Sequence, residues 1–178
     1  MRDKFDPIIF KCFSHEQVKV INTKIKEYGL QKQDPSKVAF GVSKKGDFFN
    51  IPCMPLMELL HPWLYQCQQV NREFFGYNIY WNFHLDMLNY NEYGIGSEYD
   101  WHIDATSIAS DVKLTCLLNL SEEPYGGGNF YEITSREEKE YVSGEGLLLT
   151  SLIAHKVTPV TKGKRITLTY WAMGPKWN

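Results

Sequence analysis

The apolar positions in the first 75 residues recur at a helical spacing. Residues 8–13 favour a short strand, and Ser14 stands where an N-cap is expected, directly before the first helix. Gly29 is a suitable stop for that helix. The apolar stripe of the first helix comprises Val18, Ile21, Ile25 and Leu30. A second helix is predicted over about 55–75, and its apolar positions are Leu56, Leu59, Leu60, Trp63, Leu64, Cys67 and Val70.

After residue 79 the pattern changes to strands separated by turns. The predicted strands are 79–92, 99–104, 112–120, 128–133, 146–153, 154–160 and 164–173. Two helices followed by this run of strands predict a mainly β fold with buttressing helices, a double-stranded β-helix of jelly-roll type. We expect a single domain over residues 1–178, with helical support over about 14–75 and a β-core over about 79–174.

The last predicted strand has two chemically different faces. One face carries Ile166, Leu168 and Tyr170, and the other carries Arg165, Thr167, Thr169 and Trp171. The apolar face is expected to pack on the helices. The polar face either lines a cavity or simply faces water, and the strand by itself leaves both interpretations open.

Residues 34–52 separate the two predicted helices with a segment rich in Pro, Gly and Lys, which favours a loop or hairpin. Phe48 and Phe49 would form its short hydrophobic tip. Because buried loops of this composition are uncommon, the segment is predicted to be mobile. A mobile flap would suit an extended peptide substrate, whereas a tight lid would suit a small molecule.

Composition and charge narrow the class of protein. The chain has 178 residues, 43% hydrophobic and 15% aromatic, which fits a packed globule rather than a disordered chain. The net charge of -2 gives no electrostatic footprint for nucleic acid or an anionic membrane. No apolar run approaches the roughly 20 residues that span a bilayer, and the start MRDKFDPIIFKCF lacks the features of a signal peptide. We therefore expect a cytoplasmic protein whose cysteines are reduced and whose partners include neither nucleic acid nor membrane.

Three distant residues form a candidate metal site. His102 and Asp104 lie two positions apart in a predicted strand, so their side chains point to the same side. His155 would complete a set of two histidines and one carboxylate, which is typical of non-haem Fe(II) oxygenases because it leaves coordination positions open. A lone HxD triplet arises easily by chance, but His155 lies in an apolar run where an unpartnered imidazole would be costly. Arg165, ten residues later, offers a cation for the far carboxylate of an oxo-acid.

The chain between His155 and Arg165 can follow either of two paths. A two-residue hairpin at 162–163 would place His155 opposite Tyr170 and turn Arg165 to the other side of the sheet. If the chain instead crosses between sheets near Pro159, both residues can face one interior. The sequence by itself leaves this choice open.

Three segments in this order carry a family resemblance: YGIGSEYDWHID, LNLSEEPYGGGNF and AHKVTPVTKGKRITLTYW. Over residues 90–174 the chain resembles the Fe(II)/2-oxoglutarate oxygenase superfamily, and most closely its prolyl 4-hydroxylase-like branch. The resemblance implies a double-stranded β-helix in which His102, Asp104 and His155 hold iron. It further implies 2-oxoglutarate bound by Arg165 and Tyr93. Possible helpers in co-substrate binding are Thr167, Thr169 and Asn119.

The implied activity is hydroxylation of an unactivated C–H with Fe(II), 2-oxoglutarate and O₂, with ascorbate as a further expected requirement, releasing succinate and CO₂. A prolyl residue of a protein or peptide is the first expectation for the substrate. A free amino acid or small metabolite is the alternative, followed by a non-catalytic metal-binding jelly-roll module. Tyr99 and Trp171 would shape the substrate site, although both also fit ordinary barrel packing.

Related nucleic-acid demethylases share the Asn-x-Tyr pattern that this chain has at Asn91 and Tyr93. Those relatives carry a second arginine six residues after the first, and this chain has Trp171 at that place. Together with the lack of a basic surface, this ranks nucleic acid low as a substrate.

Overall fold

The computed structural model describes residues 6–32, 42–82, 86–105 and 111–177. The helices are α1 (His15–Glu27) and α2 (Met57–Val70), the latter flanked by a 3-10 turn (Met54–Leu56) and a π-helical turn (Asn71–Phe75). The first strands are β1 (Ile8–Lys11), β2 (Gln31–Lys32), β3 (Asp47–Pro52), β4 (Met87–Tyr93), β5 (Tyr99–His102) and β6 (Val112–Asn119). The remaining strands are β7 (Gly126–Gly127), β8 (Phe130–Glu132), β9 (Glu138–Lys139), β10 (Glu145–Thr150), β11 (His155–Val157), β12 (Val160–Lys162) and β13 (Arg165–Met173).

The described strands form a large sheet, a small sheet and a two-stranded ribbon. The large sheet has the order β1-β10-β6-β13-β4-β3-β2, the small sheet has the order β5-β11-β8-β9, and the ribbon pairs β12 with β7. Every pairing is antiparallel. Residues from the large and small sheets line a common cavity, so the expected jelly roll with supporting helices is confirmed.

Helix α1 begins and ends as the sequence predicts. Ser14 caps it in a capping box, in which the Ser14 hydroxyl accepts from the Gln17 amide and the Gln17 side chain accepts from the Ser14 amide. The helix ends before Gly29, whose φ of 73° is left-handed. Leu30 therefore lies outside the helix, although it still packs against the core.

The main core lies between the helices and the outer face of the large sheet. Trp63, Leu64 and Cys67 of α2 are buried there together with Leu168 and Tyr170 of β13. Each such side chain contributes roughly 1.5–3 kcal/mol through removal from water. The expected packing of the apolar face of the last strand on the helices is thus confirmed.

Of the two interpretations of residues 34–52, the loop is wrong for residues 47–52, which form one strand of an antiparallel pair, and the predicted tip at Phe48 and Phe49 is wrong as well. Residues 47–52 form β3, which pairs with β4 along its whole length and with β2 at its middle residues Phe49 and Asn50. Phe48 is buried against Tyr93, and Phe49 packs on the main core, so the two rings do not form an exposed tip. Backbone pairing with β4 outweighs the loop-like composition. Residues 34–41 lie outside the described part of the chain.

Several strand boundaries also differ from the prediction. In the predicted strand 79–92, Tyr80 makes a single bridge to Met173 and the strand proper begins at Met87. Strand β5 ends at His102, and the predicted strand 154–160 divides into β11 and β12. The predicted strand 128–133 is shortened to Phe130–Glu132.

The chain crosses between sheets after β11, and no two-residue hairpin forms at 162–163. Strand β11 belongs to the small sheet, β12 pairs with β7, and β13 lies in the large sheet. The crossing passes Pro159, which has no amide hydrogen to continue a ladder. His155 and Arg165 therefore face one cavity from opposite sheets.

The described cysteines are all free thiols, and three of the four are buried. In the described residues, every helix is too short or too polar to cross a bilayer.

Candidate metal centre

The three candidate ligands converge where the ends of two strands of the small sheet meet. His102 ends β5, and its register partner His155 begins β11. Asp104 lies just beyond β5, so the ligand pair is only partly in the strand that the sequence predicts. Nε2 of His102 is 3.8 Å from Asp104 Oδ1, and Nε2 of His155 is 3.5 Å from Asp104 Oδ2. The three ligand atoms lie within 4.8 Å of one another, close enough to share one ion.

Hydrogen bonds behind the ligands orient them towards a common point. Nδ1 of His102 lies 2.7 Å from the Asp100 carbonyl oxygen, and Nδ1 of His155 lies 2.9 Å from the Ile153 carbonyl oxygen. A carbonyl can only accept, so each Nδ1 carries the proton and each Nε2 lone pair is free for a metal. The Thr115 hydroxyl donates to Asp104 Oδ2 over 2.5 Å and fixes the carboxylate.

The local electrostatics keep His102 ready to bind a cation. Burial and the neighbouring His155 lower the pKa of His102 from 6.5 to about 4, against the opposing effect of Asp104. The imidazole is therefore neutral near pH 7, as a metal ligand must be. Tyr99 stacks on His102 with ring centroids 3.6 Å apart, and Phe130 stacks on His155 at 5.1 Å. The donor set of two imidazoles and one carboxylate fits Fe(II) with coordination positions left open.

The candidate ligands line a narrow cavity of about 30 Å³ between the two sheets. The sequence-predicted residues on its wall are Tyr93, Tyr99, His102, Asp104, His155, Arg165, Thr167 and Trp171. Thr169 lines it as well, so the polar face of β13 does face a cavity. Asn119 is not on this wall; its Nδ2 donates to the Tyr125 hydroxyl and the Tyr141 carbonyl, and its Oδ1 accepts from the Ser121 amide.

Arg165 is a buried cation on the cavity wall. Only 1% of the residue is exposed, and one Nη donates to the Tyr141 hydroxyl over 2.8 Å. Its Nε has no hydrogen-bond partner in the described residues, and none of their carboxylates lies within 4.0 Å of it. A buried, incompletely bonded guanidinium is costly unless an anion enters, so this geometry fits a carboxylate-binding site.

Tyr93 stands beside this arginine. The two residues are register partners on β4 and β13, and Cζ of Arg165 lies 5.2 Å from the centroid of the Tyr93 ring. Burial raises the pKa of Tyr93, which keeps the phenol protonated and able to donate. Burial also raises the pKa of Tyr141 to about 12, so that hydroxyl is protonated too.

The glycine run 126–128 has a steric role that the sequence does not reveal. A Cβ on Gly127, whose φ is 66°, would lie 2.2 Å from the Pro159 carbonyl oxygen. A Cβ on Gly128, whose φ is 63°, would lie 2.9 Å from Cδ of Arg165. These two positions therefore require glycine, because β7 and the residue after it approach the Pro159 backbone and the Arg165 side chain closely.

Three further residues near the site, Thr115, Tyr141 and Lys44, were not predicted from the sequence. Thr115 could have been suspected from strand alternation in β6, which places it on the same face as Leu117. Tyr141 lies outside the strands, and nothing in the sequence connects it with Arg165. Lys44 reaches the cavity wall from the segment before β3, and no local signal marks it.

The remaining histidines lie elsewhere. His15 is exposed at the start of α1, and His61 is exposed on α2, where it stacks on Tyr65. His84 lies outside the described residues. Trp101 of β5 is 37% exposed and packs on Tyr131.

Comparisons with known proteins agree with this geometry. A sequence model of the 2OG-Fe(II) oxygenase superfamily matches residues 88–173. A PKHD-type hydroxylase of Alteromonas mediterranea is 33% identical over 92 residues, which cover 46% of this chain and 41% of that protein. The match therefore spans less than half the length of this relative.

Solved structures resemble the whole fold. A prolyl-4-hydroxylase of Pseudomonas putida has a TM-score of 0.73 at 15% identity, covering 96% of this chain and 94% of that one. A prolyl hydroxylase of Trichoplax adhaerens, in complex with a hypoxia inducible factor peptide fragment, has a TM-score of 0.68 at 18% identity, covering 94% of this chain and 83% of that one. The matched residues 88–173 contain the three candidate ligands and Arg165 within a jelly roll. The chain is therefore similar to the 2OG-Fe(II) oxygenase superfamily over residues 88–173, and its fold is similar to that of prolyl 4-hydroxylases.

Proposed function

We propose that this protein is an Fe(II)- and 2-oxoglutarate-dependent dioxygenase that hydroxylates an unactivated C–H, with a prolyl residue of a protein or peptide as its substrate. The observation that carries the proposal is one cavity holding both an open set of metal ligands and a buried arginine without a carboxylate partner among the described residues. A plain scaffold has no need for either feature, and both are costly to bury.

In this proposal His102, Asp104 and His155 hold the iron through Nε2 and carboxylate oxygens. The carbonyls behind the histidines fix their tautomers, and Thr115 fixes Asp104. Iron, 2-oxoglutarate and O₂ supply the oxidative chemistry, in which the co-substrate becomes succinate and CO₂ and a substrate C–H becomes C–OH.

Arg165 binds the distal carboxylate of 2-oxoglutarate with a planar fork, and Tyr93 donates to the same carboxylate. Tyr141 holds the guanidinium from behind, so the fork is already oriented when the co-substrate arrives. Thr167 provides a further hydroxyl on the cavity wall. Asn119 acts indirectly, by holding Tyr125 and the Tyr141 backbone.

Aromatic rings exclude water from the ligands. Tyr99 covers His102, Phe130 covers His155, and Trp171 lies on the wall at the other end of β13 from Arg165. A dry site protects a reactive centre from side reactions. We assign Tyr99 and Trp171 to the substrate side of the cavity. Ascorbate would act as the reductant that sustains turnover.

Support for a prolyl substrate comes from similarity. Structural neighbours are named as prolyl hydroxylases, and one of them was solved with a peptide bound. The sequence relative is named only as a hydroxylase of PKHD type. Because these structures are less than 20% identical to this chain, only the shared fold supports a peptide substrate.

The test is formation of succinate from 2-oxoglutarate with Fe(II), O₂ and ascorbate against a panel of prolyl peptides and free amino acids. We expect turnover that requires iron and is lost in Asp104→Ala. His61→Ala is the matched control, because this histidine is exposed on α2 and far from the cavity wall. Normal turnover by Asp104→Ala, or no iron-dependent turnover with any substrate, would contradict the proposal.

A further inference from the structure

A second cation, Lys44, points into the same cavity as the candidate metal ligands. Its backbone runs beside β5, where the Asp100 amide donates to the Ser43 carbonyl and the Lys45 amide donates to the Glu98 carbonyl, each over 2.9 Å. Lys44 makes a bridge with Tyr99 in this pairing. Because neighbouring side chains alternate, the Lys44 side chain points to the cavity.

The Lys44 ammonium lies between two aromatic rings. Nζ is 3.8 Å from the centroid of Phe48 and 4.8 Å from the centroid of Tyr99. Its oxygen contacts are neutral amides, Asn91 Oδ1 at 3.2 Å and Asn89 Oδ1 at 3.4 Å. Such a cage of rings and amides holds an ammonium in place without neutralising its charge.

The amide oxygens are fixed by the large sheet. Asn91 Nδ2 donates to the Thr169 hydroxyl and to the Asn89 carbonyl, each over 3.1 Å, and this turns Asn91 Oδ1 towards Lys44. Asn89 Nδ2 donates to Asn50 Oδ1 over 3.4 Å. These bonds orient both acceptors, so the position of the ammonium is a built feature of the wall.

Lys44 lacks the carboxylate partner that nearby lysines have. Lys45 pairs with Glu98 at 2.5 Å, and Lys164 pairs with Glu92 at 3.0 Å. Among the described residues, no carboxylate oxygen lies within 4.0 Å of Lys44 Nζ. Burial lowers the pKa of Lys44 to about 7, against the opposing effect of Asp104, so its charge is poorly compensated.

The co-substrate, in the proposed function, already has a partner for each end. Arg165 takes its distal carboxylate, and its other end meets the metal ligands. Lys44 approaches from the segment before β3 and lies against β4 and Tyr99, which leaves its charge free for a different acid.

Ligand entry requires side chains to move. The cavity of about 30 Å³ corresponds to roughly one water molecule. Lys44 can follow an incoming anion because its stem is flexible and a charge-assisted bond to the anion would replace its two neutral amide contacts.

We propose that Lys44 binds a carboxylate of the primary substrate, which makes this substrate an acid. The carboxylate belongs either to an acidic residue beside the target in a peptide or to the α-carboxyl group of a free amino acid. This inference rests on the proposed function and narrows its substrate class.

The test measures binding to Mn(II)-loaded protein saturated with 2-oxoglutarate, by calorimetric titration, without turnover. Two ligand pairs differ only in the acid: acetyl-Glu-Pro-amide against acetyl-Gln-Pro-amide, and L-proline against L-prolinamide. We expect the acid member of one pair to bind at least about 10-fold more tightly, as a charge-assisted bond implies. The pair that shows this preference identifies the source of the carboxylate.

Substitutions then assign the preference to Lys44. In Lys44→Met the acid and amide should bind within about two-fold of each other, and in Lys44→Glu an acetyl-Arg-Pro-amide should bind more tightly than the Glu peptide. Lys45→Met is the matched control, since this neighbour is exposed and paired with Glu98, and it should keep the wild-type preference.

Three results would overturn the inference. In the first, the wild type binds the acid and the amide of both pairs with equal affinity, or binds none of the four ligands. In the second, Lys44→Met keeps the wild-type preference for the acid over the amide. In the third, Lys44→Met weakens only the binding of 2-oxoglutarate. Failure of the proposed function would appear differently, as a lack of iron-dependent turnover, whereas the titrations with Lys44 variants measure only binding.

Discussion

Arg165→Ala should separate co-substrate binding from metal binding. Arg165 is 1% exposed, its Nε has no hydrogen-bond partner among the described residues, and one Nη donates to the Tyr141 hydroxyl. At least two N–H groups therefore remain for the distal carboxylate of 2-oxoglutarate. Charge-assisted bonds contribute roughly 1.5–3 kcal/mol each, so two of them account for about 3–6 kcal/mol. Because 1.4 kcal/mol is a factor of ten, the dissociation constant should rise by about 10²-fold or more.

The assay is titration of Mn(II)-loaded protein with 2-oxoglutarate, followed by titration of the metal itself. Metal affinity should change little in Arg165→Ala, since the arginine is not among the candidate ligands. Arg165→Lys should recover only part of the loss, because an ammonium cannot reproduce the planar fork. Lys164→Ala is the matched control, as this exposed neighbour pairs with Glu92. Unchanged 2-oxoglutarate affinity in Arg165→Ala would refute the assignment of this residue.

Three further perturbations test other parts of the site. Thr115→Val removes the hydroxyl that donates to Asp104 and should weaken metal binding about 10- to 100-fold in a metal titration, with little change in fold. Unchanged metal affinity would refute the supporting role of Thr115. Since the pKa of His102 falls from 6.5 to about 4 on folding, the unfolded chain binds a proton that the folded chain does not; the free energy of unfolding of the metal-free protein should therefore decrease as pH falls from about 6.5 to about 4. His102→Gln should flatten this dependence in urea titrations, and an equal slope in both proteins would contradict it. Gly127→Ala should lower the melting temperature and weaken 2-oxoglutarate binding, because its Cβ would collide with the Pro159 carbonyl oxygen. Gly126→Ala is the milder control, since its Cβ would lie 3.1 Å from the nearest atom. Equal losses in the two variants would count against the steric argument.

Local patterns predicted those parts of the fold that depend on alternation and capping. The faces of β13 and the N-cap at Ser14 follow from side-chain periodicity and from a hydroxyl that satisfies helix amides. The candidate ligands could be located because an HxD pair at a strand end and a histidine in an apolar run both suggest chemistry. Their convergence depends on the crossing near Pro159, which the sequence left open.

Long-range pairing decided what the sequence did not predict. Residues 47–52 have the composition of a loop, and they form a strand because β4 offers a complete antiparallel edge. A lysine such as Lys44 is expected at the surface, and the backbone bridge with Tyr99 directs its side chain towards the cavity instead. Tyr141 meets Arg165 from a segment 24 residues away, where no periodic signal applies.

The cavity and the core depend on the register of a single strand. Arg165 and Thr167 face the cavity, while Ile166 and Leu168 face the helices, so β13 provides the proposed co-substrate site on one side and stability on the other. A slip of one residue would move the arginine into the core and a leucine into the cavity. Both errors are costly, since an unpaired buried cation and a lost apolar contact each destabilise the fold. Pairing with β4 on one edge and β6 on the other fixes this register. Apolar packing of Ile166 and Leu168 on the helix side of β13 therefore offsets the cost of burying Arg165 on the cavity side.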